Sequence, residues 1–408
     1  VAQRTVTEPR RRPKNRKAQI AAVAAEAFSE RGYHSVSVDD IAATVGISGP
    51  ALYRHYPNKY ALFLDAATGL VTSLQSAIAA DAEREVPDAA QRLDGQILTT
   101  IRTTVTNRRT AGLYRWESRY LEATDRACIR GAIGAVNRRM GATLAQLRPE
   151  LEERDNFLIC VAMLSVAGSI TVHRANLPRR RLENLLLDAC RALSRIDLPT
   201  PTEPDVARAA TAGIPLSNKR EVLLNESIVL FHARGYHEVS IEDIGAAAGI
   251  NASGVYRHFA SKSDLLAAAF HRAADRLAAA VGTALSGSTT PREALRSLVD
   301  VYVRLSFAQS ELMSVYFAEI GSLPDAQRTE LRNVQRLNVE EWAHLLGETR
   351  TELSAAECRF LVHGALSLVL DVGRVMRFDP TRVNEARVQA MMLTTLFGDG
   401  TDDPGGTA

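Results

Sequence analysis

Lysine is nearly missing from this chain: five residues against 44 arginines in 408. That imbalance points to a high-GC coding bias more than to a function. Cysteine is scarce as well. Cys128, Cys160, Cys190 and Cys358 are scattered, with no C-x-x-C and no His-Cys cluster. This excludes a zinc ribbon and a secreted disulfide scaffold, and all four are expected as buried free thiols in a reducing cytoplasm. No uninterrupted run of about 18 apolar residues is apparent, so no membrane-spanning helix is expected. The first residues are polar and basic and lack the apolar core of a secretory signal. Net charge is only +2, so any nucleic-acid binding has to come from local patches. G-x-G-x-x-G, P-loop, nucleophile-elbow and H-E-x-x-H motifs are all missing. Catalysis, cofactor and metal are therefore not expected.

The chain does contain itself twice. Residues 28–65 and 231–268 align without a gap at an offset of 203, with 17 of 38 positions identical. The similarity continues weakly: residues 160–174 line up with 360–374 at an offset of 200. The chain thus reads as two copies of one unit of about 200 residues. Between them, residues 196–217 carry Pro199, Pro201, Pro204 and Pro215 with little apolar periodicity, as a loose linker does. The segment from Gly398 is rich in Gly and Asp, a composition of disorder.

Helical periodicity dominates and no strand alternation is sustained. Ile20, Val23, Ala24, Ala27 and Phe28 recur on one helical face, and Gly32 is placed to end that helix in a left-handed cap. Ser37-x-x-Asp40 has the form of a reciprocal capping box. Val38, Ile41, Ala42 and Val45 make a short stripe, which Gly46 breaks. Ser48 is an N-cap candidate and Pro50 suits a first turn. Asn58 is placed to cap a long helix reaching about residue 83. The second copy repeats this punctuation with Gly235, Ser240-x-x-Asp243, Gly249, Asn251 and Ser261-x-x-Asp264. Two short helices joined by a tight glycine turn form a helix-turn-helix.

Both segments resemble the DNA-binding headpiece of the tetracycline-repressor (TetR) family. The first copy carries the family pattern at Phe28, Gly32, Tyr33, Ser37, Val38, Ile41, Ala42, Gly46, Ile47, Leu52, Tyr53, His55, Tyr56, Lys59 and Leu62. The second carries it at Phe231, Gly235, Tyr236, Ser240, Ile241, Ile244, Gly249, Ile250, Tyr256, His258, Phe259, Lys262 and Leu265. It departs at Gly245, where Ala is usual, and at Val255, where Leu is usual. The resemblance covers about 45 residues per copy. It implies an all-α fold of two tandem units, each a three-helix headpiece followed by a helical ligand-binding and dimerisation bundle. The tandem form is similar to regulators of mycobacterial mammalian-cell-entry lipid-transport operons, which implies lipid or sterol transport and metabolism genes as targets. The expected division is a basic arm at 1–17, headpieces at 18–60 and 218–263, regulatory bundles at 61–195 and 264–397, a linker at 196–217 and a disordered tail at 398–408.

The resemblance makes double-stranded operator DNA the first expected partner, met in the cytoplasm on the nucleoid. Tyr53 with Lys59, and Tyr256 with Lys262, are spaced to grip phosphates on one side of a groove; alternatively, the tyrosine packs inside and the lysine is merely solvated. Ser37 and Ser240 can bond phosphate as well as cap. Base contacts are expected from Ser48, Gly49, Ala51, Arg54 and His55 in copy one, and from Asn251, Ala252, Ser253, Arg257 and His258 in copy two. Residues 1–60 carry ten basic and five acidic side chains, whereas 218–262 carry five of each. The second headpiece should therefore bind DNA more weakly or with less salt dependence. A single working headpiece, with copy two as an interaction scaffold, is the alternative reading.

Residues about 155–173 with 180–195, and 354–376 with 382–397, are the candidate pairing helices. Packed on each other within one chain they would make a covalent pseudo-dimer, addressing an imperfectly palindromic operator as a repressor; further homodimerisation and activation stay open. Polar residues in otherwise apolar helices are the pocket candidates: Arg115, Trp116, Glu117, His173, Tyr316, Glu319, His363 and Asp371. The competing readings are arginine pairing for Glu117 and Glu319, and satisfied core imidazoles for the two histidines. A pocket there implies a largely apolar effector, and the resemblance suggests one that is lipid-, sterol- or acyl-CoA-like.

Overall fold

A computed structural model describes residues 16–82, 88–108, 113, 120–200 and 217–399. Among these residues, every regular element is helical. The first headpiece comprises α1 (Arg16–Arg31), α2 (Val38–Val45) and α3 (Gly49–Tyr53). Ile20, Phe28, Ile41, Leu52, Leu62 and Phe63 are buried together at its centre. The ring edge of Phe28 meets Phe63 at 5.4 Å. Ser37 and Asp40 close the capping box at the start of α2. Gly46 turns the chain between α2 and α3 at φ 74°, a conformation that needs glycine.

The first bundle follows: α4 (Lys59–Ala82), α5 (Ala89–Thr106), α6 (Ala123–Leu147), α7 (Glu153–Gly168) and α8 (Arg179–Arg195). The second copy repeats the plan. Its headpiece is α9 (Lys219–Arg234), α10 (Ile241–Ala247) and α11 (Ala252–Tyr256). Its bundle is α12 (Lys262–Ser286), α13 (Pro291–Ala308), α14 (Ser310–Glu319), α15 (Asp325–Thr349), α16 (Ala355–Val375) and α17 (Arg382–Phe397).

The two departures from the family pattern compensate each other. A Cβ on Gly245 would lie 2.9 Å from the Ile250 carbonyl oxygen and 3.2 Å from a Val255 methyl. The first copy holds Ala42 and Leu52 at the equivalent positions, both buried. The second trades them for Gly245 and Val255. The β-branched methyls of Val255 fill the space near the Cα that the missing Cβ leaves.

The bundles join along one contiguous core. Helix α7 of copy one packs on α16 of copy two, with α8 and α17 on the flanks. Leu158, Ile159, Met163 and Val166 share this core with Phe360, Leu361, Ala365 and Leu368. Ser165 Oγ donates to Asp371 Oδ2 at 2.6 Å across the joint. Arg387 meets Asp155 at 3.1 Å, both nearly buried, and its Nε donates to the Pro199 carbonyl at 2.9 Å.

Four expectations are corrected here. Residues 196–200 are not loose: Leu198 is buried in the shared core, and Pro199 is held by Arg387. Cys128 is exposed, unlike the three buried thiols, because it lies on the outer face of α6. Two helical stretches do reach spanning length and hydropathy: Lys59–Ala80 at 1.3 and Glu153–Thr171 at 1.2. Two-thirds of the second is buried in the joint; a helix packed on several sides reads as apolar all round. Lastly, the tail is tied at its start, where Arg195 pairs with Asp399 at 2.5 Å. The arm before Arg16 and residues 201–216 lie outside the described residues.

Removing one partner of a nearly buried ion pair leaves the other uncompensated, at a cost of about 3–5 kcal/mol. Arg387→Met should therefore lower stability by about 3 kcal/mol, read as a lower urea midpoint. Arg181→Met, which breaks a more exposed pair to Glu357 at 3.4 Å, should lower it by under about 1 kcal/mol.

Candidate nucleic-acid interface and effector cavity

Each headpiece presents one exposed trio at the end of its third helix: Tyr53, Arg54 and His55 in copy one, and Tyr256, Arg257 and His258 in copy two. The two phenols are about half exposed, at 49% and 54%. They are held out because the neighbouring residues turn inward, Leu52 and Tyr56 in copy one and Val255 and Phe259 in copy two. The first turns of these helices differ. Ser48 sits at the N-cap position of α3, but its hydroxyl makes no capping bond. Asn251 does cap α11, its Oδ1 accepting from Gly254 N at 2.8 Å and Ser253 Oγ at 2.9 Å. Gly49 and Ala51 are half-buried, as is Ala252. A Cβ on Gly49 would come within 2.4 Å of Asp39 Oδ1, so α2 and α3 approach closely there.

Ser37 and Ser240 cap their helices, accepting from Asp40 N and Asp243 N at 3.0 Å each. The carboxyls of Asp40 and Asp243 are held below the usual range, first by the serine backbone N–H.

The lysines differ most from expectation. Lys262 donates to the carbonyls of Tyr236 and Val239, both at 2.8 Å, and lies 4.4 Å from the Tyr236 ring centre. Lys59 lies 4.5 Å from the Tyr33 ring centre, with the His34 carbonyl at 3.4 Å. Burial lowers both ammonium pKa values. Both ammoniums are engaged within their own headpieces. Each ties the third helix's exit to the loop after the first helix, because that loop offers carbonyls and a ring face within reach.

The two loops also meet each other. The rings of His34 and His237 lie 4.3 Å apart. These residues share one position in the repeat, which was the only signal for them in the sequence. Burial, then His237 and Lys59, lowers the pKa of His34, against Glu319 and Glu238.

The pocket candidates separate. Tyr316 and His363 line a cavity of 220 Å³. His363 stacks on His173 at 4.0 Å, and burial first lowers their pKa values to about 4 and about 2. Both are therefore neutral at pH 7. His173 Nδ1 accepts from Ala175 N at 3.2 Å, and its ring packs on Phe360 and His363 across the joint without lining the cavity. Asp371 is also taken by the joint, through Ser165. Glu319 is fully buried, and it accepts from Tyr236 N at 2.9 Å and Ser322 Oγ at 3.0 Å. This fastens bundle to headpiece. Arg115, Trp116 and Glu117 lie outside the described residues. Against the second copy's cavity, the space between α4, α5, α6 and α7 of the first copy is only 40 Å³.

Residues 20–66 and 223–269 each match the family profile described as bacterial regulatory proteins, tetR family. The chain thus carries two tetR-family headpieces in tandem. The family is one of transcriptional regulators, not enzymes. The transcriptional activator FasR of Mycolicibacterium smegmatis is 38% identical over 78 residues, 19% of this chain and 35% of that one. The regulator YuxN of Bacillus subtilis is 22% identical over 162 residues, 38% of this chain and 55% of that one. The chain thus spans about a third and about half of the length of these relatives. Among solved structures, the tetR-family regulator PfmR of Thermus thermophilus is 25% identical, with 43% of this chain and 96% of that one covered and a TM-score of 0.39.

Charged-group hydrogen bonds contribute about 1.5–3 kcal/mol each. Lys262→Met should therefore lower the thermal midpoint of the second headpiece without any DNA present, as followed by hydrogen exchange of residues 219–260. A pure phosphate ligand would leave that exchange unchanged. The His34 pKa sits below its unfolded value, so its share of stability is present above about pH 6.5 and is lost as pH falls. Acidification from pH 7 to pH 5 should loosen the loop contact, read as faster exchange at residues 32–36. His34→Phe, which keeps a ring but cannot titrate, should flatten that dependence.

Proposed function

We propose that this chain is a DNA-binding transcriptional regulator that meets one operator with both of its headpieces, as a covalent pseudo-dimer. The observation that carries the reading is the continuous α7–α16 core beneath two headpieces that each expose the same Tyr-Arg-His trio. One rigid body would hold two recognition helices for half-sites roughly one helical turn apart. Because Ser48-Gly49-Pro50 and Asn251-Ala252-Ser253 differ, the operator is an imperfect palindrome. Tyr53 and Tyr256, with Ser37 and Ser240, address phosphates; Arg54, His55, Arg257 and His258 read or flank base edges.

Regulation follows from occupancy. Bound at a promoter, the chain blocks polymerase, and a small apolar effector of lipid, sterol or acyl-CoA type changes how the two headpieces are spaced. Two-point binding is then lost together with its avidity. Lipid or sterol transport and metabolism genes are the proposed targets, reached in the cytoplasm on the nucleoid.

Fluorescence anisotropy on the chain's own upstream DNA, at two salt concentrations, tests the reading. Tyr53→Ala and Tyr256→Ala should each weaken binding at least tenfold, with one chain saturating one site. If Tyr256→Ala binds like wild type, the neutral second headpiece is a scaffold and recognition needs two chains.

A further inference from the structure

The 220 Å³ cavity is not contained in one copy. Tyr302, Tyr316, Phe317, His363, Leu366 and Leu370 form its floor from the second bundle. Its other wall comes from the first copy: Ser29, Glu30 and Gly32, the last turn of α1 and the residue after it, with Leu113, Thr171 and Val172 beside them. The same turn of α1 packs on residues 320–322 of copy two. The lining is about half apolar and half polar, and it bridges the bundle of the second copy and the headpiece of the first.

Charge at the mouth is one-sided. Arg332 lines it and makes no ion pair or hydrogen bond among the described residues. Glu30, the negative group nearest to it, is paired with Arg174 at 2.9 Å. Arg328 is held by Asp325 and the Gly321 and Leu323 carbonyls. Of the two charged residues that line the cavity, Glu30 is neutralised by Arg174 and Arg332 has no partner among the described residues. A chamber of mixed apolar and polar walls with an unpaired guanidinium at its entrance suits an amphiphile with an acidic head. Tyr316 and Gln335, bonded to each other at 3.1 Å, offer a second polar contact on the same wall.

We propose that this cavity seats an apolar carboxylate or similar amphiphilic anion, with Arg332 on its head group, and that the occupant acts from the second copy on the first headpiece. The proposal rests on the effector-responsive reading above and adds the site, the ligand class and the route. Filling the chamber pushes on the end of α1, which carries the loop that Lys59 and Tyr33 tie to the exit of the recognition helix. The 40 Å³ space in the first copy has no such role, so one chain takes one ligand.

Binding of anilinonaphthalene sulfonate, an apolar fluorescent anion, to the full chain without DNA tests the site. One equivalent per chain is expected, displaced by decanoate and at least tenfold less well by decanol. Ser29→Trp fills the chamber from the headpiece side and Leu366→Trp from the bundle side, so misfolding of one variant does not decide the matter. Both should weaken the probe at least tenfold at unchanged helical circular dichroism, and Arg332→Gln should erase the preference for decanoate over decanol. Wild-type probe binding in both tryptophan variants would overturn the site, and a retained preference in Arg332→Gln would overturn the role of that residue. The route is read separately, as hydrogen exchange at residues 28–36 with and without decanoate. Protection changes there are expected, and their confinement to the second bundle would overturn cross-copy action. Since none of these readouts uses DNA, failure of operator binding would sink the regulator reading and leave the site standing.

Discussion

The packing of α7 on α16 sets the position of everything on the DNA side. These two helices come from different copies, and their side chains form one core with no boundary between them. Val166 sits 3.5 Å from where a Cβ on Gly364 would stand, so the helices approach closely at that point. A glycine interior to a helix is disfavoured by about 1 kcal/mol, and here its lack of a side chain admits the partner's valine. Interiors packed at crystal-like density transmit displacement and do not absorb it. A push on one bundle is therefore felt in the other.

A second layer of contacts carries that rigidity down to the headpieces. Glu319 holds the backbone N–H of Tyr236, Gln327 holds Asp264 at 2.9 Å, and Tyr60 reaches Asp125 at 2.5 Å. Each of these bonds ties a headpiece, or the helix leaving it, to the bundle above. The lysines act within the headpiece, between the first loop and the last helix. Phenol, guanidinium and imidazole remain as the groups turned to solvent on the recognition helices.

Much of this was legible in the sequence. The repeat, the glycine turns, the capping boxes at Ser37 and Ser240, and the pairing helices all have local signatures: periodicity, a cap three residues before its partner, a helix apolar on every side. What the sequence left hidden depends on residues far apart in it. Lys59 and Lys262 sit at motif positions, but their carbonyl partners lie 23 to 26 residues earlier. Arg387 finds Asp155 across 232 residues. Glu319 carries the same charge as a pocket acid, and only its backbone partner shows it to be a fastener. The cavity shows a related limit. Polar residues in apolar helices are its candidates in the sequence, and Tyr316 and His363 do line it, whereas Asp371 and His173 serve the joint.

Fusion of the copies also releases them from symmetry. In an isologous dimer each contact occurs twice, with equivalent residues exchanged. Ser165 meets Asp371 here, and the exchanged pair at the offset of 200 would be Ala365 with Thr171, which cannot make that bond. The contact therefore occurs once. The cavities, too, are unequal. Symmetry survives where the two headpieces face outward or touch on the axis: Tyr53 matches Tyr256, Arg54 matches Arg257, and His34 stands against its own equivalent, His237. On the proposed reading, a near-palindromic duplex constrains the first of these, since both half-sites offer the same phosphate spacing. The interior meets no such symmetric partner. Divergence has gone furthest there, where the contacts of one copy are not repeated by the other.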